Sequence, residues 1–160
     1  MSTRTTTAHT IVVESANLNG VVRLEAIADE ALCPGELVRF DANEELELHA
    51  TADGVLAGKM VVLESQTPDT ITSPTCAAID IEYDADDLAY YCQASPGDVL
   101  NMFLADSEVG VKGISQLVSN GDGSLKVETV DAATLADAIV GTAWQDVTAS
   151  GATRCLVRIT

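Results

Sequence analysis

The chain has 160 residues, of which eight are Lys or Arg and 25 are Asp or Glu, so its formal net charge at pH 7 is -17. Its hydrophobic fraction of 47% and mean hydropathy of +0.19 exclude an acidic disordered tail. Such tails lack the apolar side chains needed to offset chain entropy. The charge also excludes a basic patch for phosphates, so we expect no nucleic-acid partner.

The acidic residues are spread along the chain, which predicts a folded domain with an acidic surface. Repulsion within such a surface opposes the compact state unless ions screen it. At molar salt the Debye length falls to about 3 Å, which removes most of that repulsion. The charge therefore favours a protein that works in concentrated salt. An acidic protein that its charge keeps soluble at ordinary salt is the alternative.

One domain is expected at this length, and we assign residues 11–160 to a single β-rich domain. Residues 1–10, MSTRTTTAHT, are rich in threonine and unpatterned, and are expected to form a flexible N-terminal arm. This segment lacks the apolar core of a signal peptide, and no stretch approaches the length of a membrane span. We therefore expect a protein made in the cytoplasm, without a membrane partner.

Short runs rich in β-branched residues recur between turn signals, at intervals of about 8–12 residues. This spacing predicts an all-β fold, either a small β-barrel or a sandwich, with at most one short helix. The first half of residues 131–140 is that short helix or a loop, because alanine and leucine favour helix. The predicted strands are residues 11–13, 21–27, 36–40, 45–49, 60–64, 88–94, 99–104, 116–118, 125–128, 138–147 and 155–159.

Two turns and one histidine stand out within this pattern. Asn120-Gly121-Asp122-Gly123 lies between two strand-like runs and predicts a hairpin. Residues 110–113, which begin and end with glycine, are predicted to be a break between strands. The alternation of Leu46 and Leu48 with polar residues predicts a half-buried strand, and it places His49 on the outward face.

Residues that could support catalysis are few. His9 and His49 are the only histidines, and His9 belongs to the arm. No Gly-x-Ser-x-Gly elbow, P-loop or HExxH helix is present. We therefore predict that the protein is not an enzyme and has no catalytic residues and no cofactor.

The cysteines and the acidic clusters also lack the spacing of dedicated sites. Cys33, Cys76, Cys92 and Cys155 form no CxxC pair, so we predict buried free thiols, with one or two disulfides as the alternative. No acidic stretch has the spacing of an EF-hand, so we predict solvated acidic loops and no dedicated metal site, with loose cation binding as the alternative. The richest stretches are Asp80, Glu82, Asp84, Asp86 and Asp87, and the segment 120–123.

Contacts with other proteins can be sought among the scarce arginines and the single tryptophan. Arginine pairs with carboxylates bidentately, although Arg23, Arg39, Arg154 and Arg158 could equally compensate charge within one subunit. Trp144 could be a core residue or an interface aromatic. The candidate residues for contact with a partner protein or another subunit are Arg4, Thr5, Thr6, Thr7, His9, Arg23, Arg39 and Trp144.

The segment Ala31-Leu32-Cys33-Pro34-Gly35-Glu36-Leu37-Val38 resembles the "alanine, leucine, x, proline, glycine, x, leucine, valine" opening of small capsid decoration (cement) proteins of tailed viruses. The likeness extends from about Ala31 to the end of the chain. The order and spacing of several matching segments carry the resemblance, because each segment alone has only the residues of a turn between two strands. The further matches, in the same order, are residues 49–52, 94–100, 118–125, 139–143 and 154–159.

The resemblance implies a mainly β fold, usually a small barrel, on the outside of an icosahedral shell. It further implies the major capsid protein as partner, a homotrimer with extended termini that cross to neighbouring subunits, location in the virion and no catalysis. This chain carries less lysine than most such proteins, which with its acidity suggests a tailed virus of halophilic archaea. The alternative is an extracellular carbohydrate-binding or adhesion module with loosely bound calcium, which the aromatic content of 4% disfavours.

Overall fold

The computed structural model describes residues 10–17, 20–52, 54, 56, 58–65, 78–128, 136–151 and 153–160. Their fold is all-β, as the sequence predicts, and two three-residue 3-10 turns, Ala78–Asp80 and Ala136–Ala138, are the only helical segments among these residues. Within this part of the chain no helix has the length and apolarity needed to cross a bilayer. The strands are β1 (Val12–Glu14), β2 (Arg23–Ile27), β3 (Leu37–Phe40), β4 (Leu46–Leu48), β5 (Met60–Val62), β6 (Leu88–Gln93), β7 (Val99–Leu104), β8 (Val109–Gly110), β9 (Gln116–Ser119), β10 (Leu125–Glu128), β11 (Ile139–Ala143), β12 (Val147–Thr148) and β13 (Thr153–Ile159).

Five strands close a barrel in the order β7-β10-β9-β11-β13, because β13 pairs back onto β7. β13 runs antiparallel to β7 along its whole length, from Thr153 opposite Leu104 to Arg158 opposite Val99. It therefore takes one edge of β7. The other edge is shared by β1, which pairs near Leu100, and by β10, which meets Leu104 in parallel. The predicted hairpin is confirmed as β9 and β10.

The remaining long sheet has the order β2-β6-β5-β3-β4 and is buried on both faces in part of its central strands β3 and β5. The neighbouring residues Leu37 and Val38 are both fully buried, as are Val61 and Val62. Because successive side chains of a strand point to opposite faces, each pair contributes to both sides of the sheet. Leu37 and Val61 join the large core, whereas Val38 and Val62 belong to a second, smaller one. One face of this sheet thus contributes to the core that fills the barrel.

Three details differ from the sequence predictions. Residues 110–113 are not simply a break, since Gly110 belongs to β8, which pairs with β12. The predicted strand 138–147 is interrupted at Trp144 and divides into β11 and β12. The prediction that His49 points outward is wrong: its side chain is buried and its Nδ1 lies 2.8 Å from the Ser119 hydroxyl. The predicted arm, apart from Thr10, lies outside the described residues.

Candidate functional site

Trp144 sits at the barrel surface beside two cations. Its backbone N–H donates to the carbonyl of Leu156 at 2.7 Å, which fixes the residue next to β13. The Nζ of Lys112 lies 5.5 Å from the centre of the indole ring, and the Cζ of Arg158 lies 4.8 Å from it. Both distances are within the reach of cation–π attraction, about 6 Å. The half-buried ring is thus a surface aromatic packed against positive charge.

The turn between β8 and β9 brings Lys112 to this position. The N–H of Lys112 donates to the Asp146 carboxylate at 2.9 Å, and the N–H of Gly113 donates to the carbonyl of Ala143 at 2.7 Å. These bonds hold the turn against the segment that contains Trp144. Ile114, at the tip of the turn, is 75% exposed. We name this region the Trp144 surface. It comprises the half-buried Trp144 and the exposed residues Val109, Val111, Lys112, Ile114 and Arg158.

The two cations of the Trp144 surface differ from the three other described arginines in their lack of a carboxylate partner. Arg23, Arg39 and Arg154 pair with Glu64, Glu47 and Asp80 at 3.6, 2.7 and 2.6 Å. These three arginines therefore compensate acidic charge within the subunit, which is the alternative given above to a role in contacts. Among the described residues, neither Lys112 nor Arg158 forms an ion pair. Two uncompensated cations thus meet at one tryptophan on a chain of charge -17.

A second exposed apolar region lies on the other long sheet. The cross-strand pair Ile27 and Leu88 is exposed, and the Phe40 ring packs edge-on against Tyr91 with centroids 5.6 Å apart. Val22, just before β2, is 70% exposed. Beside these residues lies a groove of about 610 Å³, which we name the β2 groove. Its lining residues are Glu25, Ala26, Ile27, Phe40 and Glu44.

Arg154 ties the barrel to the second sheet. From β13, its guanidinium donates to the Asp80 carboxylate at 2.6 Å and to the carbonyl of Pro34 at 3.0 Å. It also donates to the carbonyl of Ile79 and lies 4.3 Å over the Phe103 ring. One side chain therefore joins the barrel wall, a 3-10 turn and the turn that precedes β3. The sequence offered Arg154 only as one arginine among several.

A cavity of about 390 Å³ lies at the same junction, lined among others by Cys33, Glu36, Asp106 and Asp122. Burial raises the pKa of Glu36 to about 7, and the nearby carboxylates of Glu30 and Asp122 act in the same direction. Burial also raises the pKa of the Cys33 thiol to about 11, which keeps the sulfur protonated and weakly nucleophilic. This pair of groups does not provide an activated nucleophile.

Replacing Glu36 with glutamine is expected to flatten the pH dependence of stability. The pKa of about 7 in the folded state lies above the ordinary value of 4.5, so the stabilisation from Glu36 is complete below pH 4.5 and is lost as the pH rises through 7. We expect unfolding free energy to fall by about 2 kcal/mol between about pH 5 and about pH 8, allowing for partial solvation of the side chain. Denaturant titrations at constant salt measure this change, which Glu36→Gln should largely remove.

His49 contributes a pH dependence of the opposite sign, which the wild type and Glu36→Gln share. Burial lowers the pKa of His49 from its ordinary value of 6.5, and the charge of Arg39 contributes. Its stabilisation is therefore present above pH 6.5 and is lost as the pH falls through its folded-state pKa. Equal losses of stability in the wild type and Glu36→Gln between about pH 5 and about pH 8 would contradict the role given to Glu36.

The described acidic clusters are engaged with the protein itself. Asp80 pairs with Arg154, and Asp122 accepts hydrogen bonds from Ser124 and Asn120, which lower its pKa. Carboxylate oxygens of Asp29, Asp41 and Glu45 lie within 4.8 Å of one another, a group that the sequence analysis did not single out. Asp41 there accepts the N–H groups of Asn43 and Glu45 and so closes the β3–β4 turn. Local hydrogen bonding thus engages the Asp41 carboxylate of this group.

The cysteines behave partly as predicted. Cys92 and Cys155 are buried free thiols, and burial raises the pKa of each to about 12. Cys33 is also free but only half-buried. Cys76 lies outside the described residues, as do the candidate contact residues Arg4, Thr5, Thr6, Thr7 and His9.

The sequence did contain a signal for the part of the Trp144 surface that the analysis missed. No acidic residue occurs between Glu108 and Asp122, although the chain has 25 acidic residues in 160. That stretch contains Val109, Val111, Lys112 and Ile114. Neither a protein-family model nor a curated protein matches the chain. The function is therefore inferred from the exposed surfaces.

Proposed function

We propose that the protein is a structural virion protein that binds the outside of an icosahedral capsid and decorates or stabilises it. The observation that supports this most is the exposure of large hydrophobic side chains on two separate surfaces of one strongly acidic chain. Monomeric soluble proteins rarely expose large contiguous apolar patches, and such patches mark contacts with other proteins. A subunit with two of them is suited to assembly, in which each copy must contact more than one neighbour.

The partners in this proposal are the major capsid protein and further copies of the same chain, as a homotrimer. The protein is made in the host cytoplasm and ends on the outer surface of the virion, and it performs no catalysis. The acidic surface suits a virus of a halophilic host, since molar salt screens its self-repulsion. The shell of such a virus would itself be acidic. Apolar contacts and screened carboxylates, rather than ion pairs, would then provide most of the affinity.

Binding to the shell should therefore strengthen with salt. We expect the protein to co-sediment with shells of the source virus at about 3 M salt and to be released at about 0.2 M, where the Debye length grows to several ångströms. Circular dichroism at each salt concentration separates release of folded protein from unfolding. The comparison is made at concentrations where the free protein keeps its β spectrum.

Two outcomes would contradict the proposal. Equal retention of the folded protein in high and low salt would remove the role given to screening. No binding to the shell at any salt concentration would remove the shell as partner. Bovine serum albumin, sedimented with the same shells, controls for trapping of unrelated acidic protein.

Two features count against the alternative, a carbohydrate-binding or adhesion module. Sugar-binding modules stack carbohydrate rings on open aromatic faces. The single tryptophan is half-buried, and two cations lie over its ring. The Asp29, Asp41 and Glu45 carboxylates that could attract calcium already serve the β3–β4 turn in part.

A further inference from the structure

We infer that copies of the chain join head to tail, with the Ile114 turn of one copy seated in the β2 groove of the next. This inference rests on the self-association in the proposed function, but not on the capsid. It follows from the charge and shape of two regions on different sheets. The turn presents an exposed isoleucine near a cation, and the groove is lined by apolar residues and two carboxylates.

The net charge of two copies limits the orientations in which they can meet. Two copies, each of charge -17, repel in almost every orientation. The exception is an orientation in which uncompensated positive charge of one copy faces negative charge of the other. Among the described residues, Lys112 and Arg158 provide that positive charge at the Trp144 surface. Glu25 and Glu44, both exposed, provide the negative charge at the β2 groove.

The Ile114 turn is held in place before any contact forms. The N–H of Ile114 donates to the carbonyl of Val111 at 3.1 Å, and the N–H of Ser115 donates to the same carbonyl at 3.0 Å. The N–H of Val111 in turn donates to the Ser115 hydroxyl at 2.9 Å. A rigid turn that carries an exposed isoleucine loses little conformational freedom on docking.

The groove is held equally firmly. Its apolar lining residues are Ala26, Ile27 and Phe40, and the edge-on contact with Tyr91 fixes the Phe40 ring. Glu44 lies in the β3–β4 turn with φ of 66°, and the carbonyl of Glu45 accepts the N–H of Asp41 at 2.9 Å. The volume of about 610 Å³ admits an isoleucine side chain with its neighbours. Seating Ile114 there would place Lys112 near the two carboxylates on the rim.

Such a contact uses different surfaces on the two copies. A contact of this kind closes into a ring when its rotation allows and otherwise grows as a filament. Each copy offers one turn and one groove, so a ring leaves neither unfilled. One contact of this kind therefore explains why both the turn and the β2 groove are exposed in a single chain.

A charge exchange tests the contact. Sedimentation equilibrium is measured on the wild type, Lys112→Glu, Glu44→Lys and the double variant that carries both changes. Each single variant should weaken self-association at least about tenfold, because like charges then face each other across the contact. The double variant should return to within about threefold of the wild type, because the pair is restored in reverse. Glu14→Lys, an exposed change in β1 outside both regions, is the matched control and should leave association unchanged.

All measurements use the lowest salt concentration at which circular dichroism shows every variant folded, since screening weakens the exchange effect. Recovery in the double variant supports the contact. Loss in both single variants without recovery, no loss in either, or a wild type that stays monomeric at every salt concentration would each overturn it. Shell binding is measured separately, so association without shell binding keeps this contact and removes the capsid.

Discussion

Replacing Arg154 with alanine is expected to lower the free energy of unfolding by about 3 kcal/mol or more. The guanidinium donates to the carbonyls of Pro34 and Ile79 and to the Asp80 carboxylate. Its removal leaves the partly buried carbonyls without a donor, at about 1–3 kcal/mol each. The contact with the Phe103 ring is lost as well. Most of the loss comes from the carbonyls rather than the ion pair, because Asp80 is 55% exposed and its charge stays solvated.

Two variants separate these contributions. Asp80→Asn removes the ion pair and keeps the carbonyl bonds, so it should cost less than about 1 kcal/mol. Arg39→Ala removes a more exposed arginine, whose side chain is 42% accessible and pairs with Glu47, and should also cost less than about 1 kcal/mol. Denaturant titrations of all three variants at one salt concentration give the comparison. An Arg154→Ala loss no larger than that of Arg39→Ala would show that the junction does not depend on this guanidinium.

Replacing Gly35 with alanine is expected to cost about 3 kcal/mol or more, for two reasons that add. Gly35 has φ of 98°, where an L side chain is strained. A Cβ there would also lie 2.8 Å from the backbone carbonyl oxygen of Asn101, in β7. That oxygen cannot move aside, because β7 is paired with β13 along its length. The turn and the barrel wall would have to separate.

Gly20→Ala is the matched control for this prediction. Gly20 has φ of 78°, but a Cβ there would meet nothing within 4 Å. The control therefore measures the backbone strain alone, which we expect to be about 1 kcal/mol. The excess for Gly35→Ala measures the close approach of the second sheet to the barrel. Equal losses in the two variants, measured by thermal or denaturant unfolding, would show that the approach is not tight.

The alternation of apolar and polar residues predicted most strands. It failed to predict burial where both faces of the second sheet are covered. In β13, Cys155, Val157 and Ile159 are buried in turn, as a sheet with one covered face requires. His49 breaks the rule because the face opposite Leu46 is covered by the barrel, where Ser119 receives the imidazole. A period of two tells the faces of a strand apart, but it does not say that the second face is exposed.

Strand pairing outside the β9–β10 hairpin was also beyond local signals. Between β1 and β2 the N–H of Gly20 donates to the carbonyl of Asn17. The strands on either side nevertheless belong to different sheets, since β1 pairs with β7 and β2 with β6. Trp144 was singled out by its rarity alone. One cation partner, Lys112, lies in a turn about thirty residues earlier, and the other, Arg158, lies in β13, so only the tertiary structure brings both beside it.

The two fully buried thiols lie in the same large core but on different sheets. Cys92 lies in β6 of the second sheet and Cys155 in β13 of the barrel, and the pKa of about 12 keeps each sulfur in its unreactive form. A thiol reagent therefore reaches either sulfur only when the surrounding strands come apart. The relative labelling rates of the two cysteines thus report whether the sheets open as one cooperative unit or in succession.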